Sequence, residues 1–396
     1  MALNLRPTRR ELAVGGAVMA TASALPLRST RAVGTDERFV LVVLRGGMDG
    51  LGVVVPYGDP ALRPLRPNLI GDQPGTPNGL LDLGGFWGLN PALPTVHALY
   101  RAGHAAIFHC IGGPDRSRSH FHAQDLLETG ADTRLTDGWL NRLASMLPAP
   151  PACDIALSIG PTVPLVLHGS APTTAWSDFG HRPRVSDGFH DNIVAMHANE
   201  PTGEVLAAGL RDRRYIDATM RGVSWDGIGH GFPRAARAAA RLLVAPDGPR
   251  LAELDVGGWD THTHQPVGLR EALKQLDAGI AVLRVDLAPI WHKTTIMIVT
   301  EFGRTVRQNG SGGTDHGTAT AAFLLGGAVD GGKVRADWPG VGERQLFEGR
   351  DLQPTMDLRS IAKSAIAAGF GIDRTGLGTI FPDSERIAPL AGIRRS

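Results

Sequence analysis

Thr295-Ile-Met-Ile-Val-Thr300 is β-branched and almost wholly apolar. A strand formed there has no face left for water, so it belongs inside a parallel sheet covered on both sides. The run stops at Glu301-Phe302-Gly303-Arg304-Thr305. A loop over residues 307–313 (RQNGSGG), too rich in Gly, Asn and Ser for helix or strand, then crosses the surface. Thr314-Asp315-His316-Gly317 leads from it into a second apolar run that ends at Leu325. Ligands of open α/β sheets bind beyond the carboxyl ends of strands. Glu301, Arg304, Asp315 and His316 are therefore expected to rim a site.

Three further apolar runs end in the same way. Phe39–Leu44 stops just before Asp49, which reads either as a turn residue beside Gly50 or as an acidic group at a strand end. Ala105–Cys110 is followed by Arg116, Ser117, Arg118, Ser119, His120 and His122, at the mouth of a helix over residues 123–129 that Gly130 closes. A serine at a helix mouth is by default its N-cap, but a helix N-terminus flanked by two arginines is also an anion site, where a hydroxyl is placed to attack what is held. Leu251–Val256 ends in Gly-Gly-Trp-Asp260-Thr-His262-Thr-His264. An Asp and two His at one strand end suit zinc or manganese. The helix expected from about Pro266 carries Leu269, Leu273, Leu276, Ile280, Leu283, Leu287 and Ile290 at steps of four and three, a single stripe facing the sheet. Strand, site loop, helix, strand is the βαβ unit of an α/β fold.

Residues 131–250 break this rhythm. Short strand candidates (Ile155–Ile159, Val163–His168) give way to helical stretches (Val205–Met220, Phe232–Ala245), which read as an insertion or cap over the sheet. His181, His190 and His197 lie there and read as solvated loop residues. Cys110 and Cys153 are the only cysteines, compatible with one disulfide or with two buried thiols.

Residues 1–35 are expected to stand outside the fold. Thr8-Arg9-Arg10-Glu11-Leu12, an Ala/Gly-rich run to Leu27 and the small residues Ala22-Ser23-Ala24 have the order of an export signal, and the arginine pair points to the twin-arginine route. The run is too short and too weakly apolar to span a bilayer, so the expected location is periplasmic or otherwise exported, with the twin-arginine machinery as a partner. Lys plus Arg number 40 against 39 Asp plus Glu, a net charge of +1. That balance gives no reason to expect nucleic acid or an anionic membrane as a partner.

The segments LRGGMDGLGVVVPYGDPAL, SRSHFHAQDLLETG, GGWDTHTHQ, TEFGRTVRQNGSGGTDHG and GRDLQPTMDLRSI together resemble the exported bacterial family called domain of unknown function fifteen-oh-one. That family is placed in the alkaline phosphatase superfamily with sulfatases and phosphoglycerate mutases. The resemblance implies a three-layer α/β/α sandwich around a mostly parallel sheet, and a metal-dependent hydrolase or transferase of phosphate or sulfate esters. A degenerate member that binds an anionic envelope ligand, such as a polysaccharide, is the alternative. It also implies one or two divalent ions. Asp260 and His264 match the superfamily's Asp-x-x-x-His motif and His316 its final metal-binding histidine; Asp49 matches the strand-one ligand of a second ion. The nucleophile falls at Ser119 or Ser117, with Arg118 and Arg304 taking the developing charge. Where the superfamily has Asp-His, this chain has Glu301-Phe302, so the second site is either rebuilt, with Asp315 or His122 substituting, or lost. Three expectations follow: Asp260, His264 and His316 converge, Phe302 packs, and Glu301 finds its counter-charge in a metal ion or in Arg304.

Overall fold

Phe39–Leu44 does form a strand, β1 (Arg38–Leu44), buried along its whole length. The computed structural model describes residues 36–177, 187–197, 199–200 and 202–395; the expected export signal and His181 lie outside them, as does the side chain of His190. After β1 come β2 (Ala105–Gly112), β3 (Ala156–Ile159), β4 (Thr173–Trp176), β5 (Leu251–Val256), β6 (Thr294–Val299), β7 (Thr320–Leu325), β8 (Lys333–Arg335) and β9 (Met356–Asp357). They make one sheet in the order β8-β2-β7-β6-β1-β5-β3-β4, with β9 also on β2. β1 pairs in parallel with both β5 and β6, so Val42 lies between Leu254 and Ile298. β7 alone among these strands is antiparallel to its neighbours. The β6–β7 connection contains no helix to carry the chain back to the opposite edge, so the strand after it must run in reverse. As a result the start of β7 lies beside the ends of β1, β5 and β6.

Strand alternation sends Val40, Val42 and Leu44 to one face, against Phe232 and Leu243 of the helix Phe232–Val244 and the leucine stripe of the helix Gln265–Asp286. All seven expected stripe residues, from Leu269 to Ile290, are buried. Phe39, Leu41 and Val43 go to the other face, against the helices Trp139–Ala144, Leu358–Phe370 and Arg374–Ile380. The protein is thus an α/β sandwich of three layers with a mostly parallel sheet. No described helix is long and apolar enough to cross a membrane.

Within residues 131–250, β3 and β4 widen the sheet beyond β5 and one helix covers each face, so this part belongs to the sandwich itself. The helices Asp187–His197 and Gly203–Met220 bury few side chains, with Met196 and Val205 exposed. Val163–His168 is not a strand, since Leu165–Leu167 forms a 3-10 turn after Pro164. Cys110 and Cys153 are both free and buried, each thiol pushed up to about 12 by burial.

The β4 edge holds a carboxylate pair. The Thr174 hydroxyl lies 2.8 Å from Asp154 and 2.9 Å from Asp212, yet it has one proton to give. Burial first, and Asp212 second, raise the Asp154 carboxyl from 3.8 to about 6. A folded-state value above the unfolded one means that the associated stability is fully present below about pH 4 and lost as pH rises through about 6. Asp154→Asn should therefore stabilise the protein at pH 7.5 by about 2 kcal/mol. The gain should vanish at pH 3.5, as checked by urea unfolding at both pH values.

Candidate metal centre

Strand ends can meet here because glycines let them. Gly46 and Gly47, just past β1, have φ of +125° and +72°. A Cβ on Gly46 would sit 2.6 Å from the Asp260 amide, and one on Gly47 would sit 2.5 Å from the Phe302 ring. Arg304 fills the junction. Its buried guanidinium donates to the carbonyls of Gly47 (2.7 Å), Gly46 (2.6 Å), Trp259 (3.0 Å) and Thr314 (3.3 Å), and to Asp260 Oδ1 (2.5 Å). Burial alone would raise the Asp260 carboxyl, but the hydrogen bond and charge of Arg304 outweigh it and hold Asp260 ionised.

Three imidazoles surround that carboxylate. His316 Nε2 is 3.2 Å and His262 Nε2 is 2.9 Å from Asp260 Oδ1, the two ring nitrogens are 3.0 Å apart, and His120 Nε2 is 3.6 Å from Asp260 Oδ2. The donor atoms of His120, Asp260 and His316 all lie within 4.8 Å of one another. Each ring is anchored through its other nitrogen: His120 Nδ1 to Glu301 Oε1 (2.8 Å), His316 Nδ1 to the Arg118 carbonyl (2.9 Å) and His262 Nδ1 to Asp315 Oδ1 (3.2 Å). A carbonyl or ionised carboxylate can only accept, so each Nδ1 carries a proton; the Nε2 atoms of His262 and His316 in turn face Asp260, which also only accepts, so a cation or a second ring proton has to sit between them. His120 Nε2 is buried without a hydrogen-bond partner among the described residues. Burial lowers the His316 value, and the nearby His120 and Arg304 lower it further. Inward ring nitrogens, a carboxylate and an orphaned buried nitrogen form a donor set that suits one divalent cation, with the outer hydrogen bonds that metal-binding histidines use. Phe302, beneath the rings of His120 and His316 at 4.8 and 4.9 Å, walls the cluster off on the apolar side.

The expected residues divide clearly. Asp260 and His316 converge, joined by His262 rather than His264. His264 has φ +48° at the turn that starts the helix Gln265–Asp286, and it is exposed, so the helix entry carries it away. Asp315 faces outward and orients His262. Asp49 does not face the cluster; it is fully buried against Arg66, whose Nη1 lies 2.9 and 2.6 Å from its two oxygens, with Gln265 Nε2 at 2.5 Å. Its charge is paired with a guanidinium. His122 pairs with Asp115 at 2.7 Å and is not a substitute ligand.

Glu301 addresses the site through His120, and Arg304 is not its counter-charge. Its Oε1 accepts from Gly46 N–H (2.9 Å), Gln124 (2.9 Å) and His120, and its Oε2 from Thr300 (2.8 Å). Burial would raise this carboxyl, but these bonds, Gln124's first, bring it below the ordinary value. Arg304 is committed elsewhere because carbonyls saturate it. The Arg118 side chain turns away to Asp351 (2.8 Å) and Glu348 (2.5 Å). Ser117 donates to Asp115 at 2.7 Å, whereas Ser119 caps the helix His120–Thr129 without a side-chain hydrogen bond. Sequence reasoning missed His120 as a ligand, Arg66 and Gln124. Only His120 left a signal, as a histidine at the start of a helix after a strand end.

Glu301→Ala strips the acceptor from four donors. It should lower stability by about 3 kcal/mol, whereas Glu301→Gln, which keeps one acceptor oxygen, should cost less than half of that. Equal losses in urea unfolding would show that shape, not hydrogen bonding, holds this corner.

Among solved structures the chain is similar to Ps i-CgsB in complex with k-i-k-neocarrahexaose (12% identity over 89% of this chain and 77% of that one, TM-score 0.41). It is also similar to the C-terminal periplasmic domain of EptC from Escherichia coli, solved as a complex with Zn (10%, 73% and 73%, 0.36). A third similar structure is the phosphonate monoester hydrolase of Agrobacterium radiobacter (12%, 85% and 74%, 0.35). No curated protein sequence matches. Residues 109–378, more than half of the chain, match one family. The chain belongs to the family described as protein of unknown function (DUF1501).

Proposed function

We propose that this chain is an exported, metal-dependent hydrolase or transferase of phosphate or sulfate esters, working with one divalent ion, zinc or manganese. The observation that carries the reading is the set of three inward-facing imidazole nitrogens around Asp260. His120, His262, His316 and Asp260 would hold the ion. When bound, it supplies Lewis-acid polarisation of an ester oxygen. The chain supplies the rest. The N-terminus of the helix His120–Thr129 offers unpaired N–H groups to an anion. Ser119, whose hydroxyl is not spent on capping, is the nucleophile we favour over Ser117, whose hydroxyl is held by Asp115. Arg304 contributes fixed positive charge through Asp260 without touching substrate, and Arg118 is excluded from that role by its own ion pairs. The signal-like sequence over residues 8–27 supports export.

The Asp49–Arg66 pair favours a second reading. With a guanidinium in place of a second ion, the site would bind an anionic ligand such as an envelope polysaccharide without turning it over.

Metal analysis of protein purified without added metal should find about one equivalent per chain, lost in Asp260→Asn and His316→Ala. On a panel of phosphate and sulfate esters, Ser119→Ala should lose turnover by about 10³-fold or more while keeping metal content. Since no capping bond is broken, its stability cost should stay below about 1 kcal/mol. Metal binding with no turnover of any ester would favour the second reading, and absence of metal would overturn the first.

A further inference from the structure

Two consecutive residues far along the chain, Arg350 and Asp351, grip the His316 corner from both sides. Arg350 Nη2 donates to the His316 carbonyl at 2.6 Å. Asp351 is fully buried, and its Oδ2 accepts from Arg118 Nε (2.8 Å) and from the Thr318 hydroxyl (2.8 Å), two residues past His316. Arg118 is the residue whose carbonyl receives the His316 Nδ1 proton, and its backbone is left-handed, with φ +57°. A non-glycine residue holds that conformation only where its surroundings over-determine it. Here the surroundings are Asp351 on the guanidinium and Asp115 Oδ2 on the amide, the latter at 3.1 Å. The segment is itself fixed to the loop after β6, through the Thr305–Asp351 bridge and the Val306 amide on the Arg350 carbonyl.

We infer that Asp351 is a positioning residue for the candidate metal centre: by holding Arg118 in its left-handed conformation, it places the carbonyl that takes the His316 Nδ1 proton at 2.9 Å, in competition with Asp260 Oδ1, which lies 3.2 Å from Nε2. The inference deepens the metal-dependent reading of the site, but the part that concerns the tautomer stands without a metal. Glu348, the other partner of the Arg118 guanidinium, is largely exposed and serves as the control. It shares the ion pair but not the buried contact to Thr318.

The test is long-range ¹⁵N–¹H NMR of the histidine rings in metal-free full-length protein, with the His316→Gln spectrum identifying the His316 signals. The wild type and Glu348→Ala should show His316 as a single Nδ1–H tautomer. Asp351→Ala should show a mixture, and Asp351→Asn should give the same result if the alanine variant does not fold. In a parallel titration with zinc alone, Asp351 variants that unfold cooperatively should bind it about 10- to 100-fold more weakly than wild type, while Glu348→Ala should not differ. A folded Asp351 variant that keeps the pure Nδ1–H tautomer would overturn the inference, as would a Glu348→Ala spectrum as mixed as that of the Asp351 variant. If the wild type takes up no zinc, the metal reading fails, but the tautomer measurement still decides whether Asp351 sets the ring.

Discussion

One buried guanidinium holds the site edge of this sheet together. Arg304 sits where the ends of β1, β5 and β6 come within contact of one another, and its fork of donors reaches carbonyls from the first two ends and from the loop before β7. Those carbonyls have no strand partner left, and water does not reach them, so each would cost free energy if unpaired. Lysine, a point charge with three donors, could not span the same set. The charge that makes this scaffold possible also keeps Asp260 ionised. The structural device and the chemistry of the site are therefore the same interaction.

A second buried pair plays a different part. Asp49 and Arg66 are both fully buried, and Arg66 further donates to the carbonyls of Thr305 and Val306. Burying a carboxylate costs free energy unless it is paired, and Arg66 supplies the pairing at Asp49. The Pro-rich loop before residue 70 delivers that cation as a side chain. The exchange ties the loop to residues just past β6 and, among the described residues, leaves one cluster of ligands, around Asp260.

Much of this was legible in the sequence, and the boundary is physical. Apolar runs with no polar face could only be inner strands, so β1, β5, β6 and β7 and the residues just beyond them could be placed before any coordinates. Period-four leucines gave the covering helix. What the sequence withheld depended on the direction of a side chain or on contact across the chain. His262 and His264 are equivalent in composition, and only the left-handed turn at His264 separates them. His120 meets Glu301 across 181 residues, a pairing that no local spacing encodes. Arg66 lies in a loop whose prolines and glycines predict irregularity but not destination. In the segment over residues 131–250 the short apolar runs have the period of either a cap or an edge, and only pairing beside β5 makes β3 and β4 edge strands.

The two cysteines have a consequence for the environment this chain can inhabit. Only the thiolate exchanges with disulfides, and burial disfavours it at both cysteines, pushing each thiol up to about 12. Both sulfurs are also buried in the fold. Once folded, neither thiol is presented for exchange. The chain needs no oxidant to complete its structure and offers no handle to a mixed-disulfide catalyst, so the same fold can persist in a reducing compartment and in an oxidising one.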